Sequence, residues 1–166
     1  MDCTSTRLPY RQTGAFSKIA LDYIDRAAAL KPFFAHPPTL QGIQKAIDAR
    51  KQFPADLPTG QAGREVLVQE LKKQYEGVET SDKVKQNIES LLSADTFTIS
   101  TAHQNNIFTG PLYFIYKIVH AIKLADHLRA SLPKQNFVPV FYIGSEDADL
   151  DELNHIYLGG EKLVWE

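Results

Sequence analysis

A chain of 166 residues, 43% apolar and 23% charged, has the size and composition of one ordinary globular domain with a core. A net charge of -2, with no basic stripe interleaved with aromatics, argues against a nucleic-acid partner, and no apolar run approaches the ~20 residues that span a bilayer, so no membrane partner is expected. Cys3 is the single cysteine, which excludes a disulfide framework and a cysteine-built metal site; the N-terminal MDCTSTRLPYRQTGAFSK lacks the apolar segment of a secretory signal, so a cytoplasmic location is expected.

Residues 1 to 15 read as irregular. Phe16, Ile19, Ala20, Tyr23, Ile24, Ala27 and Leu30 then recur at helical spacing, and Pro32 with the HPP at 36 to 38 closes that helix. Thr39 is the expected N-cap of a second helix that carries Leu40, Ile43 and Ile47 on one face. The breaker-rich FPADLPTGQAG, 53 to 63, reads as a loop. Val68, Leu71, Tyr75 and Val78 suit a third helix; Val84, Ile88, Leu91 and Leu92 suit a fourth, begun by Ser81. No chemistry stands out in these residues, and a packing or substrate-covering role is expected for them.

The character changes at Asp95. TFTIS, 96 to 100, is β-branched and aromatic, as a strand should be. A helix is expected from about 110 to 131, broken by PKQN. The near-continuous apolar FVPVFYIG, 137 to 144, reads as a strand buried on both faces of a parallel sheet. Strand, crossover helix and strand make a βαβ unit, expected to be right-handed. A short helix around 146 to 154 and a hairpin turning at Gly159-Gly160 complete the pattern. The fold class expected is α/β: a helical N-terminal region, 1–94, followed at 95–166 by the first βαβ unit of a Rossmann-like parallel sheet. A two-strand sheet cannot cover its own faces and edges, and the sequence stops inside a strand at Trp165-Glu166. We therefore expect the N-terminal portion of a longer protein, marginally stable alone and prone to associate through an open strand edge.

Ligands of open α/β sheets bind outside the carboxyl ends of the strands. This chain offers two such ends, the turns at 101 to 110 and 144 to 149, and adjacent parallel strands would bring both to one edge. In the first turn Thr109 is placed to cap the following helix, Gly110 to allow close backbone approach, and Pro111 to fill the first helical turn. Free N–H groups and the helix dipole would favour an anion there. His103 could serve as acid, base or phosphate donor, while Gln104, Asn105 and Asn106 offer neutral hydrogen bonds. The alternative is a polar loop that satisfies its own backbone.

On the helix, Leu112, Ile115, Val119 and Ile122 are expected to face the core, with Ile118, Ala125 and Leu128 widening that side. Tyr116, Lys117, His120, Lys123 and His127 form a solvated stripe, with Tyr113 and Lys117 close enough to the anion site to take part. In the second turn, GSEDADLDE, the calcium-loop pattern fails because Glu152 replaces the required Gly and Leu158 the bidentate Glu. Ser145 would cap an acidic first helical turn. Glu146 and Asp147, at a strand end facing the anion site, could hold an ammonium, a Mg²⁺ or a sugar hydroxyl.

TAHQNNIFTGPLYFIYKIVHAIKLADHL followed by VPVFYIGSEDADLDELNH resembles the bacillithiol biosynthesis cysteine-adding enzyme family, and the upstream QNIESLLSADTFTIST fits the same register. The match covers roughly 85 to 157. The resemblance implies a cysteine ligase that joins cysteine to glucosaminyl-malate in the last step of bacillithiol synthesis. It also implies a nucleotidyltransferase-type Rossmann core, truncated here, and a C-terminal coiled coil in a much longer whole protein, with a homodimer as the candidate assembly. Carried over by position, its motifs fall on Thr101 to Gln104, Phe108 to Lys117 and Gly144 to Asn154. The catalytic set is then His103, Glu146 and Asp147; the substrate-binding set is Gln104, Asn106, Thr109, Gly110, Tyr113 and Lys117, with no metal ligands assigned. The family often has Thr-Gly-Gln-Gln where this chain has Thr101, Ala102, His103 and Gln104, and many members have His where this chain has Ala148. Amide formation needs an activated cysteine carboxyl, for which ATP with Mg²⁺ is the candidate, although no P-loop sequence is present. Two other functions fit the residues: a nucleotidyl- or adenylyltransferase acting on another small acid, and a non-catalytic ligand-binding module.

Overall fold

The structure, a computed structural model, describes residues 4–52, 60–147 and 149–165. It divides into two compact units, 1–52 and 53–166. The first contains α1 (Tyr10–Thr13), α2 (Lys18–Ile24), a 3-10 helix (Ala28–Phe33) and α3 (Leu40–Lys51). Tyr10 meets Phe16 edge-on at 4.7 Å, and a short helix stands where an irregular leader was expected. The single helix expected up to Pro32 is cut in two. Ser17 caps α2, its hydroxyl accepting from the Ala20 N–H at 3.4 Å, and the helix ends at Ile24. Arg26 then turns to a φ of 56°, and the remaining apolar residues form the 3-10 helix, which contains Pro32. Apolar spacing alone does not distinguish one helix from two short ones in series. Thr39 caps α3 as expected, accepting from the Gly42 N–H at 3.2 Å. Only glycine fits at 42, because a Cβ there would lie 1.9 Å from the Pro37 carbonyl oxygen.

The second unit contains α4 (Gln61–Gln74), α5 (Asp82–Ser90), β1 (Thr96–His103), a 3-10 turn (Ile107–Thr109), α6 (Leu112–Ser131), β2 (Asn136–Ile143), α7 (Leu150–Leu153), β3 (His155–Leu158) and β4 (Glu161–Val164). Residues 53–59 of the expected breaker-rich loop lie outside the described residues, and Gln61 to Gly63 open α4 instead. Strands β1 and β2 pair in parallel from Thr96↔Asn136 to His103↔Ile143, with α6 as the crossover, which gives the expected α/β arrangement. β3 and β4 form the expected hairpin, with Gly159 and Gly160 both at positive φ, as a tight two-residue turn requires.

Alternation along β2 sends its side chains to two layers. On one face Val138 joins Val68, Ile88 and Leu91, with Leu71, Val84, Leu92 and Val140 packed around them. On the other, Phe141 meets Phe114 of α6 at 5.1 Å, and Phe137 lies 6.2 Å from Phe97. Helices α4 and α5 thus share the core of the sheet, and this packing unit begins well before the change in composition at Asp95. The Arg64 guanidinium ties them together, donating to the carbonyls of Leu91, Ser93 and Thr96 at 2.9, 2.9 and 3.2 Å. The buried Thr96 hydroxyl accepts from Asn136 Nδ2 at 3.4 Å.

Three expectations need correction. β2 is not buried throughout: Phe137 and Val138 are, but Tyr142 and Ile143 are 56% and 54% exposed, because the packing of the helical layers on the strand ends at Val140 and Phe141. The inward face of α6 is Ala121, Ala125 and Leu128, with Phe114 and Ile118 half-buried, whereas Leu112, Ile115, Val119 and Ile122 are exposed. The helix carries apolar residues on most of its circumference. Small side chains at 121 and 125 let the backbone approach the sheet, and that contact selects the face. Finally, Thr109 does not cap α6; Pro111 occupies the N-cap position and Leu112 is the first helical residue.

Candidate active site

The parallel register places the carboxyl ends of β1 and β2 at one edge, where the Gly144 N–H donates to the His103 carbonyl at 2.9 Å. His103 is the last residue of β1 and points to the α6 side of the sheet. Its ring sits 5.1 Å from that of Tyr113 and 5.5 Å from that of Phe114. Both ring nitrogens are engaged: Nε2 is 2.9 Å from the Tyr113 hydroxyl and Nδ1 is 3.2 Å from the Gln104 carbonyl oxygen. One turn along α6 from Tyr113, the Lys117 ammonium donates to the Ala102 carbonyl at 3.2 Å and lies 5.4 Å from the Tyr113 ring centre. His103, Tyr113 and Lys117 therefore form one interlocked group around the end of β1.

The connection between His103 and α6 is strained. Phe108, Thr109 and Gly110 follow one another at φ values of 46°, 69° and 58°. For phenylalanine and a β-branched threonine such angles are outliers that the surroundings must enforce. Gly110 is required by contact as well as by angle, since a Cβ there would lie 2.6 Å from Asn106 Cβ. The Asn106 side chain is clamped in this way, and its Oδ1 is buried with no hydrogen-bond partner among the described residues. Asn105, Asn106 and Ile107 also line an open cavity of about 360 Å³ together with Leu150, Leu153 and Trp165. The α6 N-terminus, expected to favour an anion, carries no side-chain cap.

The second turn is built differently. Glu146 is exposed and accepts a hydrogen bond from the Tyr142 hydroxyl at 3.1 and 3.2 Å to its two oxygens. That bond, then the charge of Glu146, then slight burial raise the Tyr142 phenol above its ordinary value of 10.0. Tyr142 pairs in register with Ala102, so its side chain leaves the sheet on the face opposite His103. Glu146 is thus held at the same edge but on the other face, not toward His103 as expected. Asp147 is exposed, with its N–H 3.4 Å from the Gly144 carbonyl. Ser145 is not a helix cap: α7 starts at Leu150 and is capped by Asp149, whose Oδ1 accepts from the Asp151 N–H at 3.1 Å.

Glu152, assigned no role from the sequence, accepts from Gln104 Nε2 at 3.3 Å and links the two turns across 48 positions. Tyr142 and Phe114 were also missed. A tyrosine four residues before a glutamate could have flagged the first; the Gln104–Glu152 pair leaves no trace in sequence spacing. Thr109 stands at a φ of 69° in the strained turn, while His120 and His127 are exposed on α6, as expected.

The model of the N-terminal Rossmann-like domain of the bacillithiol biosynthesis protein BshC matches residues 1–166. The protein named "Putative cysteine ligase BshC" in Flavobacterium johnsoniae is 44% identical over 164 residues, which are 99% of this chain and 29% of that protein. Its namesakes in Cytophaga hutchinsonii and Bacillus cytotoxicus are 42% and 32% identical over 91% and 86% of this chain, and over 28% and 25% of their own lengths. The chain thus spans under a third of the length of these relatives.

Proposed function

This chain belongs to the bacillithiol biosynthesis BshC family, as its N-terminal Rossmann-like domain, and from that premise we propose that the whole protein is a cytoplasmic ligase joining cysteine to glucosaminyl-malate through an amide bond. The observation that carries the reading is the convergence of His103, Tyr113 and Lys117 at the carboxyl edge of the sheet, where α/β enzymes bind their substrates. Lys117 and the uncapped N–H groups of α6 favour an anionic group, such as the malate carboxylates. Asn106 Oδ1, a buried acceptor without a partner, suits a substrate N–H or O–H. Gln104 donates from its side-chain nitrogen to Glu152, which leaves its side-chain oxygen as the acceptor it can offer a substrate. Glu146 and Asp147 lie on the second turn of the same edge and suit the substrate ammonium or sugar hydroxyls.

The cysteine carboxyl must be activated before an amine can attack it, and ATP with Mg²⁺ would supply that activation. Among the described residues no three of His, Cys, Asp and Glu come together as a metal site.

The test is genetic and chemical. With the gene deleted in its host, cellular thiols are measured by mass spectrometry. The reading expects loss of bacillithiol with accumulation of glucosaminyl-malate, restored by the intact gene. Unchanged thiol with no accumulated precursor would overturn it.

A further inference from the structure

The sequence leads one to expect His103 to meet the substrate as an acid or base, but both of its ring nitrogens already have partners. A carbonyl oxygen can only accept, so the contact between Nδ1 and the Gln104 carbonyl requires the proton on Nδ1. The neutral ring then offers one lone pair, on Nε2, and that lone pair accepts from the Tyr113 hydroxyl at 2.9 Å. Tyr113 and Phe114 lie against the imidazole, and the ring is half-buried, whereas Tyr113 is 52% exposed.

We infer that Tyr113, not His103, is the group that exchanges a proton with the substrate, with His103 as the base behind it. This inference rests on the amide-forming reading above. The incoming amine nitrogen attacks the carbonyl carbon of a cysteine acyl phosphate or acyl adenylate, made with a nucleoside triphosphate as co-reactant. The new C–N bond forms from the nitrogen lone pair. The C–O bond to the phosphate then breaks, with its electron pair remaining on the leaving oxygen. The positively charged nitrogen loses one proton to the Tyr113 oxygen as the Tyr113 proton passes to His103 Nε2. The products are the amide, the phosphate or nucleotide, and an imidazolium that donates from Nδ1 to the Gln104 carbonyl and from Nε2 to the phenol. The Lys117 cation, 5.4 Å from the ring centre, favours negative charge on the phenolic oxygen while the proton is in transit. The Gln104 carbonyl fixes the tautomer, as the carboxylate partner does in hydrolytic triads.

The test uses the whole protein and the variants Y113F and H103Q, with kcat followed against pH. Phenylalanine keeps the ring contacts and removes only the hydroxyl. Y113F should lower kcat about 10²–10⁴-fold, the usual range for a lost general acid or base, and leave KM within about threefold. H103Q should lose as much. The double variant should be no worse than either single one, because the two groups act as a unit. Y113F that retains kcat within about threefold while H103Q does not would overturn the relay and return the proton transfer to His103. Retention in both variants would make the pair structural and also overturn it. If the wild-type protein forms no amide at all, the functional reading fails, and nitrogen NMR of ¹⁵N-histidine-labelled protein decides the dyad, with the His103 signal assigned by H103Q. An Nδ1–H ring whose Nε2 resonance shifts in Y113F supports the relay geometry, and an Nε2–H ring contradicts it.

Discussion

The two turns at the carboxyl edge make opposite uses of their residues. After β1, an imidazole, a phenol and an ammonium lock one another in place, and three successive positive-φ residues feed the chain into α6. After β2, five of the eight residues from Ser145 to Glu152 are acidic, yet Glu146 is exposed and tied to Tyr142, and Asp147 is exposed. The first turn is preorganised, as the proposed proton transfer would demand; the second is solvated, as the proposed capture of a cationic or hydroxylated group would allow. Richness in charge is therefore the poorer guide to chemistry here.

The largest effect should come from closing the space that the first turn needs. G110A places a Cβ in contact with Asn106 at a left-handed φ and should lower stability by about 2–4 kcal/mol, read as an earlier denaturant midpoint, together with loss of activity. R64A removes one donor from three carbonyls that lead into the start of β1 and should lower stability by about 2 kcal/mol, with KM and kcat unchanged in the folded fraction. An R64A protein as stable as wild type would detach α4 and α5 from the account of the sheet.

E146Q probes the second turn alone. Its carboxylate keeps the Tyr142 phenol protonated to higher pH than an ordinary tyrosine, so the variant should ionise nearer pH 10.0, which an ultraviolet phenolate titration reads directly. The linkage runs one way. The phenol is favoured in its protonated form in the folded state, so its contribution to stability is fully present below pH 10.0 and fades as pH rises through the higher folded value. The smallest effect belongs to E152A. It frees an exposed Gln104 amide and should raise KM by about two- to fivefold with little change in kcat, in keeping with about 0.5–1 kcal/mol for one neutral donor. A fall in kcat larger than the change in KM would move Glu152 into the chemistry.

Much of this was legible in the sequence because it is written in local chemistry. Thr39, with helical spacing beyond it, marked the start of α3, paired glycines marked the β3–β4 turn, and β-branched and apolar runs marked β1 and β2. Parallel pairing then required both turns to share an edge. What was not legible depended on which neighbour a residue meets. α6 is apolar nearly all round, so only the sheet could select Ala121, beside the expected Ala125 and Leu128, over Leu112 and Ile115. Thr109 and Pro111 have the composition of a cap and a first turn, but clamping of Asn106 by Gly110 shifts the helix start by two residues. Glu146 follows β2 in sequence, but its bond to Tyr142 holds it on the face opposite His103.

The central claim is that the first turn performs chemistry and the second binds. The direct test is to measure kcat and KM of the whole protein side by side for H103Q and E146Q, with glucosaminyl-malate varied and amide product quantified by mass spectrometry. The account predicts that H103Q loses about 10²–10⁴-fold in kcat with KM nearly constant, and that E146Q raises KM with kcat within about threefold of wild type. The reverse pattern, with kcat lost in E146Q and kept in H103Q, would contradict it.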